Sequence, residues 1–187
     1  MTRAALIVFL VAELGGVTLE DLRADPDLNP KRLMSKFCRF KFELHGEVQA
    51  PEVFLATERG DCDDFATLAA MVLREKGYHT RLITVRMPGL THVVCYVGEV
   101  ESYLDYNNRI YMRSLVKAKP DINDIAGKVA KAFDSDWTSA SEFIYTNQVK
   151  VLLSTVARAE AFAQLAQANS NSARSNKSVV HQLNVGF

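Results

Sequence analysis

The sequence predicts an α+β domain in which a helix beginning at Cys62 packs on an antiparallel sheet carrying His92 and Asp105. Three observations lead there. Phe65, Leu68, Ala69, Val72 and Leu73 recur at three- and four-residue spacing, which gives one helix a continuous apolar face. The stretch that follows contains short runs of β-branched and apolar residues. Pro88-Gly89 and Gly98-Glu99 separate those runs, and both pairs favour turns.

Each element has its own signal. Thr18 to Ala24 reads as a short acidic helix ended by Asp25-Pro26, since a residue before proline is pushed out of helical geometry. Asn29 is a cap and Pro30 suits the first position of a helix reaching about Cys38. Phe40, Phe42 and Leu44 alternate with Lys41 and Glu43, which predicts a strand ending at Gly46. Pro51 opens another short helix, to about Ala56. The Gly60 to Gly77 segment is the clearest helix, with Asp61 as its cap and Asp63 and Asp64 in the first turn. Thr80 to Met87, Thr91 to Val97 and Val100 to Tyr106 follow as strands. A helix starts at Asp121 or Asn123, with Ile122, Ile125, Ala126, Val129 and Phe133 on one face. Phe143 to Tyr145 and Val149 to Val151 read as strands, and Ala157 to Ala168 as helix. Asn169 to Ser178 is rich in Asn and Ser, a composition that builds no core.

At 187 residues, 48% of them apolar and 24% charged, the chain can bury one core. Lysine plus arginine equals aspartate plus glutamate at 22 each, so the basic excess of a nucleic-acid binder is missing. Three cysteines, Cys38, Cys62 and Cys95, fit neither a disulfide scaffold nor a zinc spacing, and no C-x-x-C supports thiol redox chemistry. Residues 1–17 carry a short charged start and an apolar run, which reads either as a signal peptide or as an N-terminal arm. The first reading implies a periplasmic or secreted protein, the second a cytoplasmic one. No run is long enough to span a bilayer as a helix. Residues 169–187 form a polar tail.

Cys62 falls in the first turn of its helix, where unpaired amides and the helix dipole favour a thiolate. Gly60, two residues earlier, lets the backbone turn sharply into the helix. Asp61, Asp63 and Asp64 oppose that thiolate, so a neighbouring imidazolium is needed. A two-residue loop of Gly98-Glu99 supplies one by register. Val97 then faces Val100, Tyr96 faces Glu101, Val94 faces Tyr103, and His92 faces Asp105. Opposed residues share a sheet face with Cβ atoms roughly 5 Å apart. Asp105 can therefore hold the His92 ring and stabilise its charged form, the logic of a Cys–His–Asp triad. The Cys62 N–H is a natural oxyanion donor, and the sequence identifies no second one. Cys95 points to the opposite sheet face, and His45, His79 and His181 fall in loops or the tail.

Pro51-Glu52-Val53-Phe54-Leu55 and Gly60-Asp61-Cys62-Asp63-Asp64-Phe65-Ala66 resemble the P-x-E-x-L and G-D-C-[ED]-D-[YF]-A motifs of bacterial transglutaminase-like cysteine peptidases. The resemblance continues through Lys76-Gly77-Tyr78 and Thr91-His92-Val93-Val94, and closes at Tyr103-Leu104-Asp105-Tyr106-Asn107-Asn108. Two positions depart from it: Glu52 follows Pro51 directly, and Asn107 is displaced one place from the usual L-D-N. The resemblance implies a papain-like core over about residues 18–168, with Cys62, His92 and Asp105 as its catalytic residues. It implies attack on an amide or peptide bond through a thioester, resolved by water in a peptidase or by an amine in a transglutaminase. A binding module that keeps the fold without turnover is the third reading. Protein or peptide substrates, no nucleic acid and no obligatory cofactor go with it. In some relatives acids beside the cysteine help bind calcium, which makes Asp61 and Asp63 alternatives to simple helix capping. Substrate identity and oligomeric state are not written in the sequence.

Overall fold

The computed structural model describes residues 16–111, 115–146 and 149–159. The apolar N-terminal run, the helix expected through Ala168 and the polar tail lie outside the described residues, apart from their first or last few positions.

Two short helices open the fold, α1 (Leu19–Ala24) and α2 (Pro30–Ser35). Thr18 caps α1 in a full capping box with Asp21, and Asn29 caps α2 with Pro30 in its first turn. The helix α3 (Pro51–Thr57) follows, and α4 (Cys62–Glu75) is the long helix predicted from its apolar face. Gly77 ends that helix at φ +87°, a conformation that favours glycine.

The strand expected from Phe40 to Leu44 is far shorter. Only β1 (Lys41–Phe42) forms, paired in parallel with β2 (Arg59–Gly60). Phe40 is buried, but Phe42 and Leu44 are exposed, so the alternation does not point into a core. The main sheet contains β3 (Thr80–Met87), β4 (Leu90–Val97), β5 (Ser102–Leu104), β6 (Val116–Lys117), β7 (Ser139–Thr146) and β8 (Val149–Ala157). Its order is β6-β5-β4-β3-β7-β8, antiparallel throughout. A short helix α5 (Asn108–Tyr111) follows β5, and α6 (Ile122–Ala132) starts at the Asp121 cap.

Both faces of the sheet are covered. Leu82, Val93, Cys95, Leu104 and Phe143 pack with α1 to α4 in one core. Ile83, Val85, Val94, Tyr96, Tyr103 and Ala140 pack with α6 in a second core. The period of two along each strand sends alternate side chains to the two layers. Cys95 lies in the first core, on the face opposite His92 as expected. Behind β5 the chain is anchored by Arg109, whose guanidinium is buried. It donates to the Phe40 and Tyr106 carbonyls at 2.9 Å each and stacks 3.8 Å from the Tyr106 ring centroid.

Candidate active site

Cys62 occupies the first position of α4 because the residues around it close the helix start. The Asp61 side chain accepts the Asp63 N–H, while the Asp64 carboxylate reaches back to the Asp61 N–H at 3.0 Å. Asp64 also accepts from the Gln49 N–H at 2.7 Å and its side-chain amide at 2.8 Å. Asp61 accepts from the His45 N–H at 3.1 Å. These acids, buried at 3% and 2% exposure, bind the 45–49 loop to the helix start. The Cys62 thiol is half-buried and keeps access to solvent. Its own N–H meets no acceptor among the described residues, as a first-turn amide does when nothing caps it.

His92 lies in β4 and Asp105 directly after β5. The register between those strands differs from the expected one. Cys95 pairs with Leu104, Tyr96 with Tyr103 and Val97 with Ser102. A 3₁₀ turn over Gly98–Val100 and a left-handed Glu101 (φ 43°) lengthen the loop beyond two residues. Val94, rather than His92, is thus level with Asp105. The displacement is two residues, and the side-chain period of a strand is also two, so His92 and Asp105 still share a face. The His92 Nε2–Asp105 Oδ1 distance is 2.9 Å. Asp105 Oδ1 is fixed in turn by the Asn107 N–H at 2.9 Å.

With Nε2 on Asp105, the other ring nitrogen is left for a second partner. Of the three predicted residues, the structure bonds His92 directly to Asp105, and Cys62 stands at the start of α4 among the groups that act on the His92 ring. Burial opposes a charge on His92, yet hydrogen bonds to Asp105 and Cys62, and their charges, outweigh it and raise its pKa to about 10. Phe133 closes the far side of the ring, edge-on at 4.8 Å between centroids. Cys95, by contrast, is buried and its thiol is pushed up to about 12.

Asp61, Asp63 and Asp64 bring their carboxylates within 4.8 Å of one another. Burial and the two neighbouring acids push Asp63 up to about 8. The group offers hard oxygen donors of the kind calcium prefers. Asp64 already accepts three hydrogen bonds and Asp61 two, which leaves Asp63 with the most open oxygens and Asp61 next. Sequence reasoning missed His45, Gln49 and Asp64 as one assembly, because their contacts cross a loop with no periodic signal. It gave no place to Lys150, whose ammonium lies 3.9 Å from the Phe143 ring centroid.

Residues 24–113 match the family profile described as the transglutaminase-like superfamily. Among solved structures, three chains of LapG from Legionella pneumophila are similar at 17% identity. The first has a TM-score of 0.43 and covers 66% of this chain and 66% of its own, so this chain spans about two thirds of it. An EGTA-treated form has a TM-score of 0.42 and covers 66% and 69%. A calcium-bound form has a TM-score of 0.42 and covers 74% and 77%. No curated protein matches the chain.

Proposed function

We propose, on the premise that residues 24–113 form a domain of the transglutaminase-like superfamily, that the chain is a cysteine-dependent hydrolase of amide or peptide bonds. One observation carries the reading: buried His92 is bonded at 2.9 Å to buried Asp105, and half-buried Cys62 at the start of α4 is among the groups that raise the pKa of that ring. In the first half-reaction the Cys62 sulfur forms a bond to the carbonyl carbon. The His92 proton passes to the departing amine as the C–N bond breaks, leaving a thioester. In the second, water attacks the thioester, His92 takes its proton, and the acid leaves as the thiolate returns. Asp105 holds the ring through both. The free Cys62 N–H is one oxyanion donor.

Transfer of the acyl group to an amine shares the first half-reaction. An added primary amine separates the two outcomes, since only a transglutaminase conjugates it to the acyl product. The test of the shared step is limiting iodoacetamide across about pH 4 to 9, with each cysteine quantified by mass spectrometry. Cys62 is expected to react selectively at or below neutral pH, and His92→Ala to abolish that advantage. A Cys62 that behaves like Cys38 in both proteins would leave a binding module as the reading.

The three carboxylates at the start of α4 favour a calcium site in the same domain, with Asp61 and Asp63 as principal donors. Bound calcium would supply positive charge beside the helix start and neutralise the crowded acids. Its affinity, measured by titration calorimetry, should rise as pH climbs through about 8, where Asp63 gives up its proton. A flat pH response, or unchanged affinity in Asp63→Asn, would remove the site.

A further inference from the structure

The apolar face of α6 ends on Phe133. Ile122, Ile125, Ala126 and Val129 fill the core beneath the helix, and Phe133 lies four residues beyond Val129, one turn further along the same stripe. Unlike those residues it is only half-buried. It packs against the His92 ring with centroids 4.8 Å apart and planes at 63°, the edge-to-face arrangement that aromatic rings favour. His92 itself is 3% exposed.

The chain on either side holds Phe133 in place. The Phe133 N–H donates to the Ala130 carbonyl at 3.0 Å, and Asp134 turns the backbone out of the helix in a left-handed conformation (φ 48°). The Ser135 N–H returns to the same Ala130 carbonyl at 3.0 Å. Trp137 is buried in the core that α6 covers, and the Thr138 N–H donates to the Arg86 carbonyl at 2.8 Å. Arg86 follows Val85, the residue level with His92 across β3 and β4. The turn over residues 133–138 is therefore fastened to the helix at one end and to the strand beside the histidine at the other.

We propose that Phe133 is a positioning residue for the Cys62 reaction: it keeps the His92 ring seated on Asp105 and keeps water out of that pair. The inference rests on the hydrolase reading and deepens it. Asp105 fixes one ring nitrogen at 2.9 Å, but a single hydrogen bond leaves the ring free to tilt about it. A second ring packed against it removes that freedom, which a proton donor needs if its other nitrogen is to stay aimed at the reacting groups. Excluding water also strengthens the attraction between imidazolium and carboxylate, because less of it is screened. Phe133 acts only through His92, since a benzyl side chain neither gives nor takes a proton.

The test follows the His92 ring by nuclear magnetic resonance on the full chain. The rings of its four histidines are isotopically labelled, and the His92 signals are assigned by their loss in His92→Gln. The readout is the rate at which the ring N–H facing Asp105 exchanges with water, set against the backbone amides of Val93 to Tyr96 on the same strand. In Phe133→Ala that N–H should exchange about three- to ten-fold faster relative to the amides, the worth of one aromatic pair. Phe133→Leu keeps apolar bulk and should fall between, and Phe133→Tyr should restore the wild-type ratio. A loss of general stability speeds ring and amides alike, so the ratio isolates the contact. The selectivity of iodoacetamide for Cys62 over Cys38 at about neutral pH should fall in the same order. An unchanged exchange ratio in both Phe133→Ala and Phe133→Leu, with wild-type Cys62 still selective, overturns the inference and leaves the hydrolase reading standing. A wild-type Cys62 no more reactive than Cys38 overturns both, since no reaction then remains for the ring to serve.

Discussion

Asp105 acts through a single oxygen, which accepts from His92 and from the Asn107 N–H. Replacing it with asparagine keeps the shape but removes the charge that holds His92 protonated. The sign of the pH effect follows from the raised value of about 10 against 6.5 for a free imidazole. The pair's stabilisation is complete below about 6.5 and is lost as pH rises through about 10. The melting-temperature gap between wild type and Asp105→Asn should therefore be widest at the acid end of that window and close near pH 10. A gap that widens with pH would contradict a charged His92. The pairing was legible in the sequence because parity, rather than exact register, decides whether two residues share a face. The loop length was not legible, since Glu101 takes a left-handed conformation that its residue type does not advertise.

Among the elements, α4 was the most readable and β1 the least. The helix announces itself through apolar spacing, an Asp cap and a terminal glycine, and all three act as expected. β1 has the alternation of a strand but no sheet to serve, so only Phe40 in that run reaches the core. The junction between β2 and α4 is where the site is most sensitive to volume. A Cβ on Gly60 would sit 2.5 Å from Asp64 Oδ2 and 2.6 Å from the Phe54 ring, both part of packed surroundings. Gly60→Ala should destabilise the protein by about 1–3 kcal/mol in urea unfolding, as overpacking commonly does. It should also slow Cys62 alkylation, because the Asp64 bond to Asp61 is the contact displaced. A fully stable, fully reactive variant would show that the helix start does not depend on this close approach.

On the scale of the whole molecule, the sheet separates two cores and exposes one long edge. Val149 at 62% and Leu152 at 57% exposure lie on β8, the last strand of the sheet among the described residues. Nothing in the local sequence of β8 reveals that it sits at an edge, because order within a sheet is set by connections between distant strands. The same is true of Arg109. Its guanidinium, out of water and without a carboxylate partner among the described residues, makes its two hydrogen bonds to the chain just after Asp105 and to the segment that follows α2. Local opening of the N-terminal layer thus cannot occur without freeing the segment that positions Asp105. Native-state hydrogen exchange should find Asn107 to Arg109 opening at the same free energy as Phe40 to Phe42, as one cooperative unit distinct from β3 and β4. Arg109→Met should split that unit in two while the amides of β3 and β4 keep their protection. In a protein built this way, anything that grips the N-terminal layer also sets how long the histidine keeps its counter-ion.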